Sequence, residues 1–287
     1  MMLGSVVLFA ANVLLIRGLE QAFSEIDGFM VSLFRGVVGL VLLVVLFGFG
    51  RGLALKRVFT QPMLILRGVI GAFGILIFYI TVIHLGAGRA VVINLSYPIF
   101  GTLIAAATLR ESPGWRAYLW MVAGLGGLAL FLSGDIGSGI SGYDLLAVLG
   151  AVIAGTVVVL IRHLRRHQTS STIYASQCVF GILLTAPVAG ANSLALPLGP
   201  LGLLVVASIL VAVAQLMMTH AYRDLDVTRG SAIQMLLPIL TSLGGIFLFG
   251  ESFTKLELAG GVLTLFATWR VVLQPPAPYP RPSAGSP

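Results

Sequence analysis

Ten apolar runs joined by short polar connections fill most of this 287-residue sequence: residues 1–19, 28–49, 63–85, 89–109, 115–132, 143–162, 172–191, 201–222, 229–249 and 255–272. About 20 apolar residues in a helix cross a bilayer core, so each run is long enough, or nearly so, to span it. Composition points the same way. Only 9% of residues are charged against 58% hydrophobic, and the mean hydropathy is +1.04. An ordinary soluble domain carries roughly 25% charged residues, so this chain cannot solvate a normal surface. The sequence predicts an all-α polytopic membrane protein with ten transmembrane helices and no room for a sizeable soluble domain. The first run has no Lys or Arg before it and is followed by Arg17, the reverse of a secretory signal, so it is expected to be the first span.

The net charge of +7 does not indicate a nucleic-acid binder. Its Lys and Arg sit in short tracts between apolar runs, where they set membrane orientation rather than form a basic face interleaved with aromatics. With the N-terminus cytoplasmic, twelve of these residues fall in inside connections and three (Arg17, Arg89 and Lys255) outside. Both termini are therefore expected in the cytoplasm, in a multi-pass protein of a bacterial inner (plasma) membrane. Cys178, the single cysteine, has no disulfide partner in the chain and is expected as a small core residue. From residue 274 onward six of fourteen residues are proline, which predicts an extended tail.

An internal repeat organises the runs. At an offset of 140 residues, Arg89 matches Arg229, Pro98 matches Pro238, and Glu111-Ser112 matches Glu251-Ser252. With a small gap, Val13 to Arg17 also resembles Val158 to Arg162. The expected organisation is a first five-helix repeat over 1–132, a connecting loop over 133–141, a second five-helix repeat over 142–272 and a proline-rich tail over 273–287. Five is odd, so the second copy enters the membrane from the opposite side. That gives two inverted-topology repeats, an arrangement typical of carriers.

The doubled pattern of a helix opening on Arg89 or Arg229, carrying Pro98 or Pro238, closing on Glu111 or Glu251, and followed by a helix with Gly127 or Gly260 resembles the EamA-type unit of the drug/metabolite transporter superfamily. The resemblance covers residues 1–272. It implies a ten-helix carrier that opens a central cavity alternately to each side and moves small organic metabolites; aromatic and broad-range amino-acid exporters are the members it most resembles. Transport, by an exporter or a facilitator, of small neutral or zwitterionic metabolites, above all amino acids including aromatic ones, follows as the expected function, with a drug or other metabolite carrier of the same fold as the alternative.

Proline removes an amide donor and clashes with the preceding turn, so Pro98 and Pro238 are expected to kink their helices near mid-membrane and to act as hinges. Interrupted helices at matching positions point to the binding site in inverted-repeat carriers. The runs carrying them, the fourth and ninth, are expected to line a midplane cavity, joined on the family resemblance by the third, sixth and eighth. Polar side chains inside the hydrocarbon are costly, which makes them candidates for the cavity wall. These are Asn12, Tyr79, Asn94, Ser96, Tyr97, Gln177, Gln215, Gln234 and Trp269, with Gln234 placed 140 residues after Asn94. Interhelical hydrogen bonding competes with that reading for each of them.

Arg35 lies some seven residues into the second run, where it either binds a substrate carboxylate or snorkels to the headgroups; snorkelling is the preferred reading. Arg67 is expected as an interfacial anchor. Arg89 and Arg229 are candidates for gating through acids such as Asp224 or Asp226, with topology anchoring preferred. All ten acidic residues fall at or near run ends or in connections, so proton coupling would rest on His84 or His220, and uncoupled facilitated movement is expected.

No metal, cofactor or catalytic residue is expected. The partners are a small-molecule substrate and the lipid bilayer, with no nucleic acid, and the protein is expected to be monomeric. One enzymatic reading is weighed and set low: Gly139-Ile140-Ser141-Gly142 spells the GxSG of intramembrane serine proteases, which would make Ser141 a nucleophile.

Overall fold

The computed structural model describes the chain except for residues 24–25, 49–51, 86–92, 110–112, 132–140, 194–195, 250–253 and 276–287. In chain order the helices are α1 (Met2–Ala22), α2 (Gly28–Phe47), α3 (Leu55–Thr60), α4 (Pro62–Leu85), α5 (Tyr97–Leu109), α6 (Trp115–Phe131), α7 (Gly142–Leu164), α8 (Ser170–Ser193), α9 (Leu198–Ala221), α10 (Val227–Gln234), α11 (Leu237–Phe249) and α12 (Lys255–Val272). Among the described residues six helical stretches are long and apolar enough to cross a membrane, one of them running through α10 and α11 together, and Pro62–Phe78, Tyr97–Leu109 and Trp115–Phe131 are shorter apolar helices. This is an all-helical polytopic membrane protein. Arg89, Glu111, Glu251, most of the 133–141 loop and all but the first residues of the tail lie outside the described residues.

Acidic side chains stand at helix N-termini, where they satisfy amides that have no partner within the helix. Asp27 Oδ1 accepts from the Met30 amide at 2.7 Å, and Asp226 Oδ1 accepts from the Arg229 amide at 2.8 Å. Ser141 with Asp144 and Thr254 with Glu257 form capping boxes on α7 and α12. For these four acids the run-end position in the sequence is capping chemistry.

Short turns interrupt the helices just before the prolines. Residues 95–96 form a turn before α5, and Met235 and Leu236 form the matching turn between α10 and α11, so Pro98 and Pro238 sit second in the helices that follow. There a missing amide costs nothing, because first-turn amides have no helical acceptor. The interruption expected at each proline thus lies two to three residues upstream of it, as a short turn.

Packing interleaves the two halves of the chain. Helix α1 packs on α9 as α4 packs on α7; α2 packs on α9 as α8 packs on α4; α5 meets α7 as α10 and α11 meet α1; α2 pairs with α8, and α6 with α12. The last pair is the closest. A methyl group at Gly127 would fall 2.8 Å from the Gly260 carbonyl oxygen, and one at Gly260 would fall 2.5 Å from the Gly127 oxygen. Thr264 Oγ1 donates across this interface to the Gly124 carbonyl at 3.2 Å. Small residues let backbones touch where lipid supplies no hydrophobic drive to associate. Large apolar side chains stay uncovered on the outer surface, Phe247 at 85% and Leu145 at 70% exposure among them, which suits acyl chains and not water.

Candidate substrate-binding site

Around the middle of α2, α4 and α8 lies a narrow cleft of about 20 Å³, room for about one water molecule, lined on α2 by Ser32, Arg35 and Gly36, on α4 by Ala72 and Ile75, and on α8 from Tyr174 to Thr185. The first two helices come from the first half of the chain and the third from the second half. Glycines on α2 let α8 pack closely beside it. A methyl group at Gly36 would meet Ile182 at 2.8 Å, and one at Gly39 would fall 2.6 Å from the Tyr174 hydroxyl and 3.0 Å from Cys178 Sγ.

Two guanidinium groups dominate its electrostatics. Arg35 Nη2 donates to Gln215 Oε1 on α9 at 3.0 Å, and Arg67 Nη2 donates to Gln177 Oε1 on α8 at 2.7 Å. Arg67 is 1% exposed, and its Nε and Nη1 have no hydrogen-bond partner. It lies folded along its own helix, where a methyl group at Gly71 would fall 2.5 Å from Nη1. No Asp or Glu occurs anywhere in α2, α4, α8 or α9. Amide acceptors orient both cations and leave both charges uncompensated within these helices, an arrangement that attracts a carboxylate.

The arrangement revises several expectations. Arg35 does not snorkel; it lines the cleft and is fixed by Gln215. Arg67 is no interfacial anchor, because its side chain turns into the bundle toward α8. Gln177 lines the cleft, whereas Gln215 stands behind Arg35. The fourth and ninth runs contribute none of the lining residues; of the third, sixth and eighth runs, only the third does. Tyr174 and Ser32 were not singled out by sequence, since a Tyr or Ser in an apolar run reads as packing until a neighbouring charge is located. Cys178 is buried as expected, and it lines this cleft.

The proline-linked candidates form a separate junction. Tyr97 donates its hydroxyl to Gln234 Oε1 at 3.0 Å, and Gln234 Nε2 reaches Met2 Sδ at 3.8 Å. Nearby Thr102 and Thr228 share a hydrogen bond at 3.2 Å, and Tyr222 and Ser231 share one at 3.3 Å. Ser96 turns back to the Ile93 carbonyl at 2.6 Å, and half-buried Asn94 stands beside Gly150.

The remaining candidates do not face the cleft. Asn12 ties α1 to α9 through the Ala207 carbonyl at 2.8 Å. Trp269 is 54% exposed and lies against Phe266 on the outer surface, so it is not a cavity residue. The Tyr79 side chain lies outside the described residues. His84 is exposed, stacks on Tyr143 with centroids 3.9 Å apart, and its Nδ1 is 2.9 Å from the Ile80 carbonyl. His220 is half-buried in the last turn of α9. Arg229 pairs with Asp226 at 3.7 Å and donates to the Gln274 carbonyl. Ser141 is a helix cap: its hydroxyl donates to Asp144 Oδ2 at 3.1 Å and its amide donates to the same oxygen at 2.6 Å.

The end of the bundle where α2 finishes and α8 begins is laced shut. Thr169 and Ser171 donate to the Gly52 carbonyl, Gln168 Nε2 donates to Gln61 Oε1 at 2.8 Å, and Arg162 Nη1 donates to the Tyr222 and Arg223 carbonyls at 2.9 and 2.5 Å.

Comparison with known proteins agrees with this architecture. A crystal structure of a protein 15% identical in sequence superposes with a TM-score of 0.76, covering 94% of this chain and 96% of that one. The chain is 27% identical over 252 residues to the pseudopaline exporter CntI of Pseudomonas aeruginosa strain PAO1, covering 86% of this chain and 87% of the relative. To the protein of the same name in strain UCBPP-PA14 it is 26% identical over 251 residues, with the same coverage. The family model described as the EamA-like transporter family matches twice, over residues 1–133 and 141–273. Two matches that together take in nearly the whole sequence make the chain a member of the EamA-like transporter family.

Proposed function

We propose that the protein exports small zwitterionic metabolites that carry a carboxylate, amino acids including aromatic ones among them, by alternating access around the cleft between α2, α4 and α8. The observation that carries this reading is Arg35: a cation at mid-helix on the cleft wall, held by an amide and facing no acidic residue of its own helices. A solute carboxylate supplies the missing charge. Ile75, Leu184 and the Tyr174 ring offer an apolar wall for a side chain.

We read the chain as ten spans in two inverted five-helix repeats, residues 1–132 and 142–272, acting as a monomer in a bacterial inner membrane with both termini cytoplasmic. The exchange symmetry of the helix contacts supports the repeats, and the distribution of Lys and Arg supports the orientation. On that orientation the laced end is the cytoplasmic end. Opening it requires the Arg162, Gln168 and Gly52 bonds to part while the helix breaks at 95–96 and 235–236 flex. No acid lies at mid-membrane in the sequence, which supports uncoupled movement.

The relatives favour one second reading, that the exported solute is pseudopaline. Counterflow in proteoliposomes separates the possibilities. Radiolabelled phenylalanine, threonine and methionine should enter saturably with no imposed gradient, accelerated by the same amino acid on the far side. Removing the carboxylate, as in phenethylamine for phenylalanine, should abolish competition. Equal competition by the amine, or uptake that does not saturate, contradicts the proposal.

A further inference from the structure

The Arg35 site leaves a second cation unexplained. Arg67 is buried to 1% exposure, spends one donor on Gln177 and keeps Nε and Nη1 without a partner. The chain has built for this side chain. Gly71, one turn along α4, is bare where a methyl group would strike Nη1 at 2.5 Å. Burying a guanidinium with two nitrogens unsatisfied is expensive, and a Met would fill most of the same volume at lower cost. Gln177, its one partner, lines the cleft, so Arg67 stands one side chain behind the wall. The neighbouring cation, Arg35, faces the same cleft, and none of α2, α4, α8 and α9 contributes an acid between them.

Resting on the carrier reading above, we infer that the transported solute carries two carboxylates, one taken by Arg35 and the second by Arg67 when the Gln177 amide rotates aside. Each guanidinium is oriented by its own glutamine on a different helix, Gln215 on α9 and Gln177 on α8, so two separate forks are presented instead of one converging clamp. Two forks match two planar carboxylates on one molecule better than a single tetrahedral phosphate. A dicarboxylate also brings the two negative charges that the pair of cations needs to enter a low-dielectric site, whereas a monocarboxylate leaves one charge unneutralised.

The test is competition against counterflow of a radiolabelled amino acid in proteoliposomes of the full chain, with pairs that differ by one carboxylate: L-glutamate against L-glutamine, and iminodiacetate against glycine. In the wild type the dicarboxylate of at least one pair should compete about tenfold better, the scale of one charge-assisted hydrogen-bonded contact. Arg67→Gln should bring that ratio to about one. Gln177→Glu, which pairs with Arg67 in place, should also bring the ratio to about one, whatever it does to the overall rate; it is the deciding variant if Arg67→Gln does not fold. Equal competition within both pairs in the wild type, or a preference that survives in Gln177→Glu, overturns the inference while leaving a carrier of monocarboxylates standing. Competition by O-phospho-L-serine about tenfold stronger than by glutamate overturns it in favour of one phosphate. Absence of saturable counterflow for every amino acid overturns the amino-acid reading above, and this inference with it.

Discussion

Tyr97 and Gln234 join the two broken helices of the chain through a single hydrogen bond of 3.0 Å. Tyr97 opens α5, Gln234 closes α10, and Gln234 occupies the position 140 residues after Asn94. The bond therefore runs from one half of the chain to the other at the point where each half gives up helical continuity. Tyr97→Phe and Gln234→Leu should each slow counterflow several-fold, and the double variant should be no worse than either alone. A double-mutant cycle on thermal stability in detergent should give a coupling of about 0.6–2 kcal/mol. Fully additive losses would show that the bond joins nothing of consequence.

Pro98 and Pro238 hold those breaks open from the second position of the following helix. Alanine in their place lets the backbone continue as a helix through residues 95–96 or 235–236. Pro98→Ala and Pro238→Ala should leave the melting temperature nearly unchanged or raised, and should lower the transport rate. Normal rates in both, at matched expression, would remove the hinge role.

The α6–α12 contact gives a stability prediction with its control built in. Gly127 meets the α12 backbone, whereas Gly126 beside it has nothing within 4 Å and is exposed. Gly127→Leu should cost at least about 1–3 kcal/mol or abolish folded protein, while Gly126→Leu should fall within about 0.5 kcal/mol of the wild type. Similar losses in thermal unfolding would mean that the helices do not touch at Gly127.

Cys178 is a native reporter of the cleft, being the chain's single cysteine and one of its lining residues. It is buried, so a small maleimide should label it slowly, and a transported solute at saturating concentration should change that rate by severalfold. Labelling indifferent to every solute the protein carries would put the site elsewhere.

The helices were legible in the sequence because apolar runs of this length have one stable form in a bilayer. What faces what was not. Trp269 and Gln177 both lie within apolar runs, yet the first faces outward and the second the cleft, since lipid-facing and core-facing positions are equally apolar and leave little periodic signal. Arg67 misled for a related reason. Its place five residues into α4 gives its depth, but only the packing of α8 against α4 sends its side chain inward. The prolines located the helix breaks within three residues, and drew attention to the fourth and ninth runs, while the lining of the cleft comes from the second, third and seventh. Helix α3, six residues in a connection, is too short for any apolar period to announce it.

The central claim is that Arg35 receives the carboxylate of the transported solute, and exchange kinetics of Arg35→Gln against the wild type test it most directly. The account predicts that Arg35→Gln, folded and reconstituted at equal density, loses saturable counterflow of carboxylate-bearing amino acids by about tenfold or more in kcat/KM, while Trp269→Ala on the outer surface exchanges as the wild type does. Counterflow by Arg35→Gln with unchanged kcat and KM would contradict it.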